Sequence, residues 1–199
     1  MRSNVCKIDN STKDLSAVLK ESEKVAVYNE LTHKQTLQLR LLCEEVNGML
    51  PNIISEFKGN LWIEFENGVC KIYVSVNIPE INADTKAELI GISKDKKNVA
   101  IFGLVGKIRN AIENFFLNED AALAFTAASE SCYLSAENCE SIDYTYLWTL
   151  EQYRNFAKNE EKAELWDELE KSVIASVADD IIVGVKGHQA DIIIVKNFA

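Results

Sequence analysis

The 199-residue sequence contains little proline, glycine or histidine, and it has no apolar run long enough to cross a membrane. Two Pro and eight Gly are too few for a linker-rich or low-complexity chain. Every apolar run falls short of the roughly 20 residues that span a bilayer, and segment 1–16 has no apolar stretch typical of a secretion signal. We therefore expect a cytoplasmic protein that does not contact membranes.

The five cysteines are odd in number, and no two of them form a CxxC pair. A structural zinc site or a disulfide framework needs paired, regularly spaced cysteines. We therefore expect reduced thiols and no metal site at Cys6, Cys43, Cys70, Cys132 and Cys139.

The charge is unevenly distributed along the chain. Thirty-one acidic residues against 21 basic ones give a net charge of −10, which excludes a general nucleic-acid-binding protein. Segment 110–153 contains no Lys or Arg, whereas segment 93–110 has a balance of +4. The residues behind that balance are Lys94, Lys96, Lys97, Lys107 and Arg109 against Asp95.

The first half of the chain predicts a strand followed by a long helix. Val25 and Val27 alternate with Ala26 and Tyr28, which favours a short strand over Lys24–Glu30. Thr32 is the expected N-cap of the helix, and Pro51 should kink or split that helix just after Met49. The apolar residues of the helix recur at three- and four-residue spacing, namely Leu39, Leu42, Cys43, Val46, Leu50, Ile53 and Phe57.

Asn67-Gly68 predicts a tight hairpin, because both central positions of a type I′ turn need a positive φ. Counting outward from this turn predicts one apolar face, with the pairs Leu61–Val74, Ile63–Ile72 and Phe65–Cys70. The reverse face should pair Trp62 with Tyr73 and Glu64 with Lys71. One covered and one open side are typical of a two-layer sandwich.

The second half predicts further helices and a closing hairpin. A short helix is expected around Thr85–Ile90, and a helix entered through glycines should bury Leu104, Ile108, Ile112 and one of two Phe residues. Segment 118–143 is acidic and rich in small residues, which indicates an insertion or a cover, helical at best. Leu150–Val177 should form two helices, the second with Leu165, Trp166, Leu169, Val173 and Val177 inward. The closing hairpin should join 180–186 to 189–196 and pair Ile181 with Ile194 and Val183 with Ile192.

These elements predict an α+β fold, a two-layer α/β sandwich in which a mixed, mainly antiparallel sheet has helices on one face. The order strand, long helix, Asn-Gly hairpin, long loop, glycine-entered helix and closing hairpin resembles the histidine-kinase-like (GHKL) ATPase domain, in particular its small bacterial anti-sigma-factor type. The resemblance implies a single domain over 1–199. Its core would lie at about 24–116 and 178–199, with an acidic helical insertion at about 117–177.

The first part of the nucleotide site implied by this resemblance lies on the long helix. In the family, a carboxylate there is followed four residues later by an Asn that holds magnesium. Glu45 matches the carboxylate because it borders the apolar stripe, and it would orient the nucleophile if a phosphoryl group were transferred. The fourth residue after it is Met49, a poor ligand for a hard cation, which argues against Mg²⁺. Asn52 could replace the Asn only if Pro51 does not redirect the backbone, and Glu45 could equally be a helix-border carboxylate without a chemical role.

The second part is a D-x-G-x-G turn that recognises adenine. Asn77 stands at the Asp position and keeps a carbonyl acceptor, while both glycines are absent from segment 77–81. The alternative is that Asn77 and Pro79 simply end a strand.

The third part is a glycine-rich lid that leads into a helix. Free N–H groups and the helix dipole at the helix start can hold an anion, whereas a Lys there opposes the dipole unless an anion lies between them. The alternative is a solvated lysine-rich loop. The residues expected to hold the phosphates of ATP are Lys94, Lys96, Lys97, Gly103, Gly106 and Lys107.

Other functions find less support in the sequence. The two His, His33 and His188, are not accompanied by a nucleophile motif such as G-x-S-x-G, so a hydrolase is not indicated. The glutamate-rich segments lack the spacing of a metal site. The sequence thus leaves two hypotheses: a nucleotide-binding protein that is an ATPase or protein kinase if it is active, and a pseudoenzyme that binds a regulatory protein or itself without nucleotide.

Overall fold

The structure is a computed structural model that describes residues 1–10, 15–54, 56–77, 104–117, 145–159, 172–186 and 188–199. The described strands are β1 (Cys6–Asp9), β2 (Lys58–Glu66), β3 (Val69–Asn77), β4 (Thr145–Thr149), β5 (Asp180–Lys186) and β6 (Gln189–Asn197). The described helices are α1 (Ser16–Tyr28), α2 (His33–Ile53), α3 (Leu104–Leu117), α4 (Leu150–Asn159) and α5 (Val173–Val177). The expected short helix at Thr85–Ile90 and the acidic segment 118–143 lie outside the described residues.

The six strands form one sheet in the order β1-β2-β3-β6-β5-β4. All of its pairings are antiparallel, so the α+β class is confirmed and the expectation of a mixed sheet is wrong for the described strands. The closing hairpin inserts β6 beside β3, which makes β3 and β6 the central pair of the sheet. A chain that closes with a hairpin adds its last strands antiparallel to each other, and β6 in turn lies antiparallel to β3.

Both hairpins have the predicted register. Leu61 faces Val74, Ile63 faces Ile72 and Phe65 faces Cys70, while Ile181 faces Ile194 and Val183 faces Ile192. Asn67 and Gly68 have φ values of 50° and 81°, as a type I′ turn requires.

On the reverse face of the first hairpin, the Trp62 and Tyr73 rings stack with centroids 5.0 Å apart. Glu64 lies opposite Lys71 in the register. Its carboxylate contacts Arg2 Nε at 3.5 Å and accepts a 3.0 Å hydrogen bond from Trp62 Nε1.

The strand predicted at Lys24–Glu30 is wrong, because this segment forms the end of α1 and the connection to α2. Val18, Ser22, Val25 and Ala26 are buried at helical spacing, so the apolar period of the whole segment is that of a helix. The first described strand is instead β1, which lies at one edge of the sheet and pairs with β2.

α2 begins at the predicted cap and continues through its proline. The Thr32 side chain accepts a hydrogen bond from the Gln35 N–H, and the Gln35 side chain accepts one from the Thr32 N–H, which together form a capping box. The predicted split after Met49 is wrong, since the helix extends to Ile53 and the Ile54 N–H still donates to Leu50 O at 2.9 Å. A proline so close to the end of a helix removes one hydrogen bond of the last turns, and the remaining bonds hold the helix together.

The helices contribute to one core, which covers one face of the sheet. α1 contacts β2, α3 contacts β4 and β5, and α2 contacts α1, α3 and α5. The predicted inward residues of α3, Leu104, Ile108 and Ile112, are buried. Two described helices, α4 and α5, lie within Leu150–Val177. Val173 is 42% exposed rather than inward, whereas Leu165, Trp166 and Leu169, expected inward on the second helix, lie outside the described residues.

We call the sheet face opposite this core the open face. Its central row contains Trp62, Tyr73, Ile193 and Ile182, which are half-buried and lie side by side across β2, β3, β6 and β5. None of these four side chains is part of the core.

Candidate functional site

Glu45 lies on the side of α2 that faces away from α1. Arg40 of α2 forms an ion pair with Glu23 of α1 at 3.4 Å, which marks the border of α2 that α1 covers. At 100° per residue, Glu45 is about 140° around the helix from Arg40, on the other border of the apolar stripe. α2 also contacts α3 and α5, and Glu45, on the border away from Glu23, is half-buried.

The position four residues after Glu45 cannot provide a magnesium ligand. The thioether of Met49 is a poor ligand for a hard cation. Met49 is also only 6% exposed, so its side chain packs in the core and not towards solvent. Asn52 is exposed, and because α2 continues through Pro51 it does remain on the same side as Glu45. Two helical turns separate them, about 10 Å along the axis, whereas oxygens that share one Mg²⁺ each lie about 2.1 Å from it.

The residues on this part of α2 therefore do not fit a directly bound magnesium ion. Among the described residues, the structure contains no group of three His, Cys, Asp or Glu side chains that could hold a metal.

Asn77 is the last residue of β3 and is exposed. It lies in register with Lys58 of β2 and Gln189 of β6, while its neighbour Val76 is buried in the core. By this alternation Asn77 belongs to the open face, and the described residues do not bring it together with Glu45. Its role in recognising adenine stays a prediction.

The part of the implied site that is expected to bind phosphate is described only where α3 begins. Gly106, the third residue of α3, is buried, and Lys107, the fourth, is half-buried. The first turn contains no carboxylate that would compensate the Lys107 ammonium. The remaining members of this part, Lys94, Lys96, Lys97 and Gly103, lie outside the described residues.

The sequence did not single out Asp191, a carboxylate on the central strand β6 that is only 9% exposed. Its neighbours Ala190 and Ile192 face the core, so Asp191 belongs to the open face. An acidic residue within an otherwise apolar strand is a visible signal, but it becomes informative only when β6 is known to lie between β3 and β5.

Comparison with protein-family models, curated proteins and solved structures finds no match for this chain. The resemblance to the GHKL domain therefore depends on the order of elements and the residues described above. Within the described part of the chain, none of the helices has both the length and the apolar character that crossing a membrane requires.

Proposed function

We propose that this chain binds ATP on the helix-covered side of the sheet, next to α2 and the beginning of α3. The observation that carries the proposal is the half-buried position of Glu45 on the border of α2 away from Glu23 of α1, on a helix that also contacts α3. The long helix, the Asn-Gly hairpin, α3 and the closing hairpin also follow one another in the order of the resemblance, while the strand expected before the long helix is replaced by the end of α1.

The beginning of α3 supports an anionic ligand. Its first N–H groups have no partners within the helix, and its dipole favours negative charge at this end. Lys107 opposes that dipole unless an anion lies between, and the first turn contains no carboxylate of its own. A triphosphate would satisfy both the N–H groups and the ammonium group.

The proposed activity is binding rather than phosphoryl transfer. Transfer of a γ-phosphoryl group normally uses a metal ion to neutralise the developing charge. Met49 and Asn52 do not complete such a site with Glu45, so we expect ATP to bind with similar affinity in the presence and absence of magnesium.

Isothermal titration with ATP tests the proposal, once in EDTA and once with magnesium. We expect saturable heat in both conditions and at least fivefold weaker binding for Lys107→Ala. Lys34→Ala is the matched control, because Lys34 is an exposed lysine in the first turn of another helix, α2. The absence of heat at millimolar ATP, or an equal loss with Lys34→Ala, would contradict the proposal.

A protein-interaction module that works without nucleotide is the second candidate. It is supported by exposed apolar side chains where α1 meets α2: Val27 is 79%, Tyr28 72% and Leu37 52% exposed. A pull-down with the wild type and the double variant Gly103→Ala, Lys107→Ala separates the candidates. A partner retained equally by both favours the module, and a partner lost with the variant favours nucleotide-dependent binding.

A further inference from the structure

Asp191 is a buried carboxylate that forms no ion pair with the described residues. Its two oxygens accept hydrogen bonds from Gln189 Nε2 at 3.1 and 3.2 Å. The ion pairs of the described residues involve other carboxylates, such as Glu21 with Lys24 and Asp179 with Lys196. A buried charge lowers stability unless a counter-charge or several hydrogen bonds compensate it, so a single neutral amide leaves Asp191 under-compensated.

The cross-strand neighbours of Asp191 on its own face of the sheet are small. Its cross-strand neighbours are Ser75 on β3 and Gly184 on β5, two of the smallest residues. The next row along the strands is the apolar row of the open face, with Ile193 and Ile182 closest to it. A recessed carboxylate with small neighbours and an apolar border fits a cationic group on a flexible apolar stem, such as that of Arg or Lys.

The chain itself places basic residues on this face: Arg2 contacts Glu64, and the strand registers also assign Lys58, Lys71 and Lys186 to it. The Arg2 guanidinium lies 4.9 Å from the centroid of the Trp62 ring and contacts Glu64. Arg2 therefore covers the Trp62 end of the apolar row. Ile193 and Ile182, which adjoin Asp191, are at the opposite end of that row.

We propose that the open face docks a segment of a partner protein that presents an arginine between apolar side chains, with the guanidinium against Asp191 and the apolar side chains on Ile193 and Ile182. Charge complementarity identifies this occupant, because no cation among the described residues forms an ion pair with Asp191 and the partner supplies one. The net charge of −10 adds a favourable long-range attraction for a basic segment. Arginine fits better than lysine because its planar fork can donate to both carboxylate oxygens.

Two designed peptides test this docking surface on the full chain: acetyl-Leu-Arg-Leu-amide and acetyl-Leu-Gln-Leu-amide. Titrations are followed by NMR through the side-chain amide of Gln189 and the backbone amides of β5 and β6. We expect saturable shifts there, with at least fivefold tighter binding of the Arg peptide than of the Gln peptide. The wild-type protein alone can overturn the proposal: it would do so by showing no saturable shift up to millimolar peptide, or equal affinity for the two peptides.

Asp191→Asn keeps the shape of the side chain and removes its charge, so it should abolish the preference for the Arg peptide. Glu66→Gln is the matched control, since Glu66 is an exposed carboxylate at the far end of the same face. We expect Glu66→Gln to keep the preference. A preference that survives in Asp191→Asn, or that is lost equally in Glu66→Gln, would show that Asp191 is not the recognition group.

Discussion

Gly48 tests whether the surface of α2 has room for an additional methyl group. It lies inside this helix, is exposed, and has no positive φ that would require glycine. A Cβ atom built on Gly48 meets nothing within 4 Å. We therefore expect Gly48→Ala to stabilise the protein, because alanine restricts the unfolded chain and adds no contact that must be accommodated.

The expected gain is about 1 kcal/mol, the difference between Gly and Ala in a helix interior. For a chain of this length, that corresponds to an increase in Tm of roughly 2–4 °C. Thermal unfolding followed by circular dichroism at 222 nm measures the shift, and urea unfolding with an unchanged m-value confirms that it is a change in stability.

Gly59→Ala is the matched substitution with the opposite expected sign. A Cβ atom on Gly59 would collide with the carbonyl oxygen of Ser75 and lie 2.7 Å from Val76 Cγ1, so the backbone of β3 must move. Such overpacking lowers stability by about 1–3 kcal/mol. A lower or unchanged Tm for Gly48→Ala, or a higher Tm for Gly59→Ala, would contradict these expectations.

Further predictions concern the buried thiols and the buried carboxylate of α1. Burial raises the pKa of Cys70 to about 12 and that of Cys43 well above its usual range, so both should resist a thiol reagent at pH 8 until urea unfolds the chain. Peptide mapping of the labelled protein measures this, and rapid native labelling of either residue would contradict their burial. The hydrogen bond from Lys24, together with those from Asn4, holds the pKa of Glu21 below its usual value. Its ionised form therefore adds stability above the ordinary pKa of a glutamate, and this contribution is lost as the pH falls through the lowered value. Glu21→Gln should thus reduce the free energy of unfolding clearly at pH 7 and much less at pH 3, and an equal loss in urea unfolding at both values would rule this out.

The sequence predicted those parts of the fold that local chemistry determines. The Asn67-Gly68 turn admits essentially one hairpin geometry, so the register of β2 and β3 followed by counting. Thr32 and Gln35 likewise fix the beginning of α2 through their own side chains. In both cases, the deciding residues are neighbours along the chain.

Where a feature depends on residues distant in the sequence, its prediction was missing or wrong. Over a window as short as 24–30, the alternation of Val25 and Val27 fits a strand, and only packing against α2 decides for the helix. The burial of Asp191 depends on β6 lying between β3 and β5, which the sequence does not reveal. The same holds for Glu45, since the sequence does not reveal that α1 packs along the opposite border of α2, where Arg40 contacts Glu23.

The sheet separates the two proposed sites, so each proposal can be tested and contradicted independently of the other. Glu45 and Lys107 belong to the helix layer, whereas Asp191 lies on the open face, with the sheet between them. Substitutions that share no partner and lie far apart usually have independent effects. Asp191→Asn should therefore leave ATP affinity unchanged, and Lys107→Ala should leave the preference for the Arg peptide unchanged. If each variant altered the other ligand, the two faces would be coupled through the sheet, and neither loss could then be attributed to the residue that was changed.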